Sequence, residues 1–215
     1  MPDVSEQGLR ERKKQRTHRA ISDAAIRLFL ESGFDKVSVA EIAAAAEVSK
    51  PTLFKYFPTK EDLVLHRFAD HSEEAATVVR ERPARQPPLG ALRGHFVAGL
   101  RARDPITGLS DDPEVLAFSR LLYGTPSLVA RLSQFTDRST LALADALREA
   151  TGTGPEDLTA LLAAGQIITV QRLLALENYR RIASGQSSDE RYPAAIADAN
   201  RAFALLRSGL GSFCG

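Results

Sequence analysis

Apolar residues recur with helical spacing through most of this chain, and the pattern is tightest between Val39 and Phe57. Val39, Ile42, Ala43 and Ala46 fall at i, i+3, i+4 and i+7, one stripe of a short helix whose small residues let a second helix cross closely. Ser38 and Glu41 stand as a capping box at its start. Glu47-Val48-Ser49 is too short for anything but a turn, with Val48 as an inward plug. Ser49 then caps a second helix, and Pro51 suits its first turn, where the amide has no helical acceptor. Leu53 and Phe57 face back to the core. Lys50, Thr52, Phe54, Lys55 and Tyr56 are left pointing away from it.

The same reading extends to both sides. Ile21, Ala24, Ala25, Leu28 and Phe29 form one face of a preceding helix closed by Gly33, and Phe34 and Val37 lead into Ser38. Thr59 and Asp62 make a second capping box, opening a helix predicted from Lys60 to about Arg82. Proline and glycine then punctuate further helices: Leu89 to Arg101, one opened by Asp112-Pro113, one from Thr125-Pro126 to about Glu149, one from Gly154-Pro155 to about Ser184, and one from Glu190 to Gly209. No stretch alternates as a strand, so the predicted fold class is all-α.

Two late helices carry more apolar surface than one face requires. Tyr192, Ile196, Ala199, Phe203, Leu206 and Leu210 follow a heptad, a seam for a nearly parallel or antiparallel partner helix. The helix before them is apolar almost all round and is interrupted by Gln166, Thr169 and Arg172. Such a helix must be covered on more than one side, by its own core or by a second subunit. Gln166, Gln171 and Arg172 break the stretch Leu158 to Leu176, which argues against a membrane span.

Charge sharpens the first region. Residues 1–60 hold 11 Lys/Arg against 8 Asp/Glu, and the remainder 17 against 19, although the whole chain is only +1. The excess lies in residues 10–19 and around Lys50 to Lys60, a localised footprint for phosphates. A short helix showing lysines, hydroxyls and aromatics to solvent suits a DNA major groove. Residues 1–9 are polar and expected to be disordered. The single cysteine, Cys214, permits no internal disulfide and suits a reducing cytoplasm, and the charged N-terminus does not read as a signal peptide. His18, His66, His71 and His95 have no metal-ligand spacing. No nucleophile triad, paired carboxylates or phosphate-cradling glycine loop appears, so neither catalytic residues nor a cofactor is expected.

The basic arm, Ala-x-x-Leu-Phe-x-x-x-Gly-Phe, Val-x-x-Ile-Ala-x-x-Ala, Val-Ser-x-x-Thr-Leu-Phe-x-Tyr-Phe and Thr-Lys-Glu-x-Leu together resemble the DNA-binding domain of TetR/AcrR-family transcriptional regulators over residues 13–65. One departure is Glu47, where the family often carries Gly; a left-handed backbone there would cost on the order of 1 kcal/mol. The resemblance implies a three-helix helix-turn-helix domain over residues 10–60 and a helical effector-binding and dimerisation domain over 61–215. It puts Lys50, Pro51 and Thr52 at base-contacting positions, with Phe54 at a thymine methyl or sugar. Ser38, Ser49, Lys55, Tyr56 and Lys60 match phosphate contacts, and Arg16 and Thr17 backbone or minor-groove contacts. It implies a homodimer built on the last two helices, placing Tyr192, Ile196, Ala199, Phe203, Leu206 and Leu210 in the interface. It also implies an effector cavity, for which His71, His95, Phe96, Phe118, Tyr123, Phe135, Gln166, Thr169 and Arg172 are the candidate lining. The expected protein is a cytoplasmic repressor, released from a double-stranded, pseudo-palindromic DNA operator by a small, mostly hydrophobic effector. A DNA-binding regulator governed by a protein partner and an all-α enzyme are the alternatives.

Overall fold

A computed structural model of the chain describes residues 4–69 and 71–214, with side chains described for residues 12, 14–66, 71–209, 213 and 214. All regular structure among the described residues is helical: α1 (Val4–Ser32), α2 (Val39–Ala45), α3 (Lys50–Tyr56), α4 (Asp62–Ala69), α5 (Glu74–Glu81), α6 (Pro88–Ala102), a 3-10 turn (Pro105–Thr107), α7 (Pro113–Gly124), α8 (Pro126–Thr151), α9 (Thr159–Ala183) and α10 (Ser188–Cys214). Two expectations change. Helix α1 starts at Val4, so the disorder expected over residues 1–9 gives way to helix from there; residues 1–3 lie outside the described residues. The helix expected from Lys60 to Arg82 is two, because a turn intervenes in which the Glu74 amide donates to the His71 carbonyl (3.2 Å) and the His71 ring to the Glu74 carboxylate (2.8 Å).

The chain packs as two compact units: Met1–Arg67 with Arg120–Leu132, and Phe68–Ser119 with Ser133–Gly215. The first is therefore not one continuous stretch. Its core gathers Ile21, Ala25 and Phe29 of α1 with Ile42 of α2, Leu53 of α3, Phe57 and Leu63–Leu65, all close to fully buried.

In the second unit, Leu92, Leu100, Leu109, Leu143, Leu147, Ile167 and Phe203 anchor the core. Gly108 adopts φ 70°, and a Cβ there would sit 1.9 Å from the Ala175 carbonyl oxygen of α9, so only glycine fits. Asn178 of α9 donates to the Thr107 carbonyl (2.9 Å) and accepts from Arg191 Nε (3.0 Å); Arg191 also reaches Asp198 (2.6 Å). Buried Arg191 thus has its charge matched by Asp198 and its Nε bonded to Asn178, the kind of pairing that keeps a guanidinium inside.

The heptad of α10 is taken up within the chain's own core. Ala199, Phe203 and Leu206 are buried in the core, Phe203 stands 6.3 Å from the Phe96 ring of α6, and Tyr192 and Ile196 pack at the edge. This corrects the seam expected at the dimer contact: α6 and α9 already cover it. The side chain of Leu210 lies outside the described residues. Helix α9 is long and apolar enough to cross a membrane by composition. Its inner face is nonetheless that of a core helix, with Ala160, Ala163, Ala164, Ile167 and Ile182 buried. The outer face leaves Leu162 61% and Leu173 51% exposed, with Leu158 (61%) just before α9 and Leu205 (70%) on α10.

Candidate nucleic-acid interface

Local hydrogen bonds fix the helix-turn-helix. The Ser38 amide donates to Glu41 Oε2 (2.7 Å) and the Glu41 amide to the Ser38 hydroxyl (3.2 Å), the capping box expected from the sequence. The Ser38 backbone amide, then its hydroxyl, holds the Glu41 carboxyl below its usual pKa. Glu47 occupies the left-handed region at φ 53°, and the Val48 amide closes the turn on the Ala43 carbonyl (2.9 Å). Ser49 caps α3 by accepting from the Thr52 amide (3.2 Å), with Pro51 in the first turn.

Helix α3 consequently has two distinct faces. Leu53 and the adjoining Phe57 are buried, while Lys50, Pro51 and Lys55 are exposed and Phe54 is 48% exposed. Thr52 and Tyr56 are half-buried at the sides. Lys50, Phe54 and Lys55 with the half-buried Thr52 hydroxyl beside them combine two ammonium charges, a hydroxyl and an aromatic ring on about two turns of helix, the donors and apolar contacts that a base edge and its phosphate can use. Ser38, Ser49 and Arg16 are exposed as well, and Thr17 is half-buried.

Lys60 departs from expectation. It is half-buried, its ammonium donates to the Phe34 carbonyl and lies over the Phe34 ring (4.4 Å) and near that of Phe29 (5.4 Å). An ammonium held over two rings and a carbonyl is turned inward. The phosphate contact expected of Lys60 is replaced by a tie within the first unit.

Three supporting contacts escaped the sequence reading. His18 of α1 stacks against Phe57 (4.2 Å) and meets Tyr56 edge-on (6.2 Å), bracing the end of α3. Ser22, fully buried, donates to the Leu63 carbonyl and lies 2.9 Å from His66 Nδ1, tying α1 to α4. Arg131 of α8 grips Asp62 through Nε and Nη2 (3.0 and 2.9 Å to Oδ1) while Asp62 also closes the Thr59 capping box. His18 lies at i−3 from Ile21, so extending the apolar stripe backwards would have found it. The Arg131 contact spans 69 residues and leaves no local trace.

The residues expected to line an effector cavity fare differently. Phe96 and Phe135 are buried and Phe118 is half-buried in the second unit, whereas Tyr123, also half-buried, belongs to the first. Gln166, Thr169 and Arg172 are exposed on the outer face of α9, and Gln166 bonds its own helix at the Leu162 carbonyl (3.3 Å). They interrupt the apolar run because they face outward, and this corrects their assignment to an interior. His71 and His95 are also exposed, each donating to one oxygen of Glu74 (2.8 Å). His95 thereby ties α6 to α5 while the His71 bond is local to the turn before α5, and both are withdrawn from the lining.

The profile of bacterial regulatory proteins, tetR family, matches residues 21–66, the segment carrying α2, α3 and most of α4. The transcriptional regulator TcmR of Streptomyces glaucescens is 37% identical over 124 residues, 57% of this chain and 55% of that protein, so the match spans about half of that relative. A TetR-family regulator of Streptomyces coelicolor A3 superposes with TM-score 0.57 at 25% identity, over 89% of this chain and 95% of that one. The Thermus thermophilus repressor FadR, in complex with lauroyl-CoA, shares the fold at TM-score 0.52 and 24% identity, over 90% and 94% of the two chains. These relatives are transcriptional regulators, not enzymes. With the helix-turn-helix built as described, residues 21–66 form a helix-turn-helix domain of the TetR family of bacterial regulatory proteins, and the chain shares the fold of a solved TetR-family regulator.

Proposed function

We propose that this protein is a cytoplasmic, homodimeric transcriptional repressor that reads a pseudo-palindromic operator through α3 and is released from it by a small, mostly hydrophobic effector. The observation that carries the reading is the division of α3: Leu53 is locked into the core while Lys50, Pro51, Phe54 and Lys55 stand in solvent. Lys50, Pro51 and Thr52 meet base edges, Phe54 a thymine methyl or sugar. Ser38, Ser49, Lys55 and Tyr56 meet phosphates, and Arg16 and Thr17 the flanking backbone or minor groove. Selection from a random duplex library tests this directly. The expected product is an inverted repeat whose half-sites lie about one helical turn apart or more. Recovery of no preferred sequence would overturn it.

Two such half-sites need two copies, and the outer stripe supplies their contact. Leu158 just before α9, Leu162 and Leu173 on α9 and Leu205 on α10 are exposed apolar side chains, with Gln166, Thr169 and Arg172 interspersed along the α9 stripe. Pairing this surface with its symmetry mate removes it from water and buries a total area on the order of 2,000 Å². Leu173→Asp is expected to give folded monomers in sedimentation and to abolish operator binding, whereas Phe203→Asp is expected to unfold the second unit. Dimers persisting in Leu173→Asp would refute this interface. The effector reading is supported by the shared fold with a repressor in complex with lauroyl-CoA and by the aromatic residues Phe96, Phe118 and Phe135 of the second unit.

A further inference from the structure

An open cleft of about 240 Å³ runs between the first turns of α6 and the C-terminal half of α10. Pro87, Leu89, Gly90 and Arg93 form one wall, Asn200, Phe203, Ala204 and Arg207 the other. Leu89 and Phe203 are almost fully buried and give it an apolar floor. Arg93 and Arg207 are exposed at its rim. Arg93 is drawn across the cleft by a 3.3 Å bond to Asn200 Oδ1, a neutral acceptor that leaves its charge unmatched. Among the described residues neither guanidinium forms a salt bridge. Gly90 keeps the wall open, since nothing lies within 4 Å of where its Cβ would be.

An apolar floor beneath two uncompensated guanidiniums has a definite complement. The floor takes alkyl or aryl carbons, and the rim takes an anionic head that can accept from two forked donors at once. The volume falls below that of drug-sized pockets, so it fits a head group and the first carbons of a chain, not a whole large ligand. We infer that this cleft is a binding site for small amphipathic carboxylates, held by Arg93 and Arg207 over Leu89 and Phe203. None of the residues assigned to DNA contact or to the effector lines it, so the site stands independently of the proposed function.

Calorimetric titration of the full chain with decanoate, decanol and inorganic phosphate tests it without DNA. Decanoate is expected to bind, with decanol and phosphate each weaker by roughly tenfold, because each offers only half of the complement. Arg93→Gln and Arg207→Gln are surface changes that keep the fold, and each is expected to weaken decanoate by roughly tenfold. Gly90→Leu, which fills the cleft from a helical position free of neighbours, is expected to abolish binding. The inference is overturned if decanoate does not bind, if decanol or phosphate binds as well as decanoate, or if the three variants bind it like wild type. Binding of wild type only to anionic vesicles, and not to free decanoate, would also overturn it in favour of a membrane surface.

Discussion

The two units differ in how far some of their turns reach for support. In the first, three helix starts are fixed by side chains three residues apart: Ser38 with Glu41, Ser49 with Thr52, Thr59 with Asp62. In the second, the turn ending at Gly108 is fixed by α9, through Asn178 and the Ala175 carbonyl some 70 residues away, and the Ser188 amide at the start of α10 is satisfied by Asp111 (2.8 Å), 77 residues back. The helix-turn-helix is held by local caps within α2, α3 and their turns, braced by His18 and Ser22 of α1 and Arg131 of α8. The second unit has local caps too, Ser187 with Glu190 among them, but adds ties between distant segments, where a small shift at one helix is felt at another.

The largest effect expected from this contrast is at glycines. Gly108→Ala combines a left-handed backbone with collision against a carbonyl, and is expected to cost about 3 kcal/mol or more in chemical denaturation. Gly152→Ala has the same φ of 70° with nothing within 4 Å, and should cost only about 1 kcal/mol. Equal losses at both would mean that α9 does not constrain the 108 turn.

Smaller effects are expected in the first unit. Ser38→Ala removes a cap and should cost about 1 kcal/mol. Glu47→Gly relieves the left-handed strain at φ 53° and should gain up to about 1 kcal/mol, with the reading face unchanged. Thermal melts of the two variants moving in the same direction would contradict the local account.

This difference also explains what was legible. The helix-turn-helix, its caps and its inward Leu53 and Phe57 could be read directly, because short-range chemistry decides them; the left-handed backbone at Glu47 was raised only by the family resemblance. The α10 heptad was visible too, but periodicity cannot say which partner fills a seam, and here α6 and α9 do. Gln166, Thr169 and Arg172 were noticed as polar breaks, yet only packing shows that they face outward. Lys60 was misassigned because its partners, Phe29 and Phe34, lie in another helix and its following loop.

The smallest expected effect is the pH response of the α5–α6 clamp. The His95 hydrogen bond, above all, lowers the Glu74 carboxyl to about 2, and Glu74 in turn raises His95. A lowered acid stabilises above its ordinary value of 4.5 and loses that contribution as pH falls towards about 2. A raised histidine stabilises below its ordinary 6.5 and loses it as pH rises through the shifted value. The clamp is therefore strongest between these ordinary values. With Glu74 29% and His95 44% exposed, solvent screening limits it to below about 1 kcal/mol. Glu74→Gln should flatten the pH dependence of stability on both sides of that window; an unchanged profile would assign it elsewhere.

The central claim is that the outward face of α3 binds DNA, and the salt dependence of operator affinity tests it most directly. Fluorescence anisotropy with the selected duplex, from low to moderate salt, should show Lys55→Ala and Tyr56→Phe weakening binding about equally across operator variants, with the slope for Lys55→Ala reduced by about 1. Lys50→Ala should in addition relax base preference at one position of each half-site. Affinity, slope and preference that match wild type in all three variants would contradict the account.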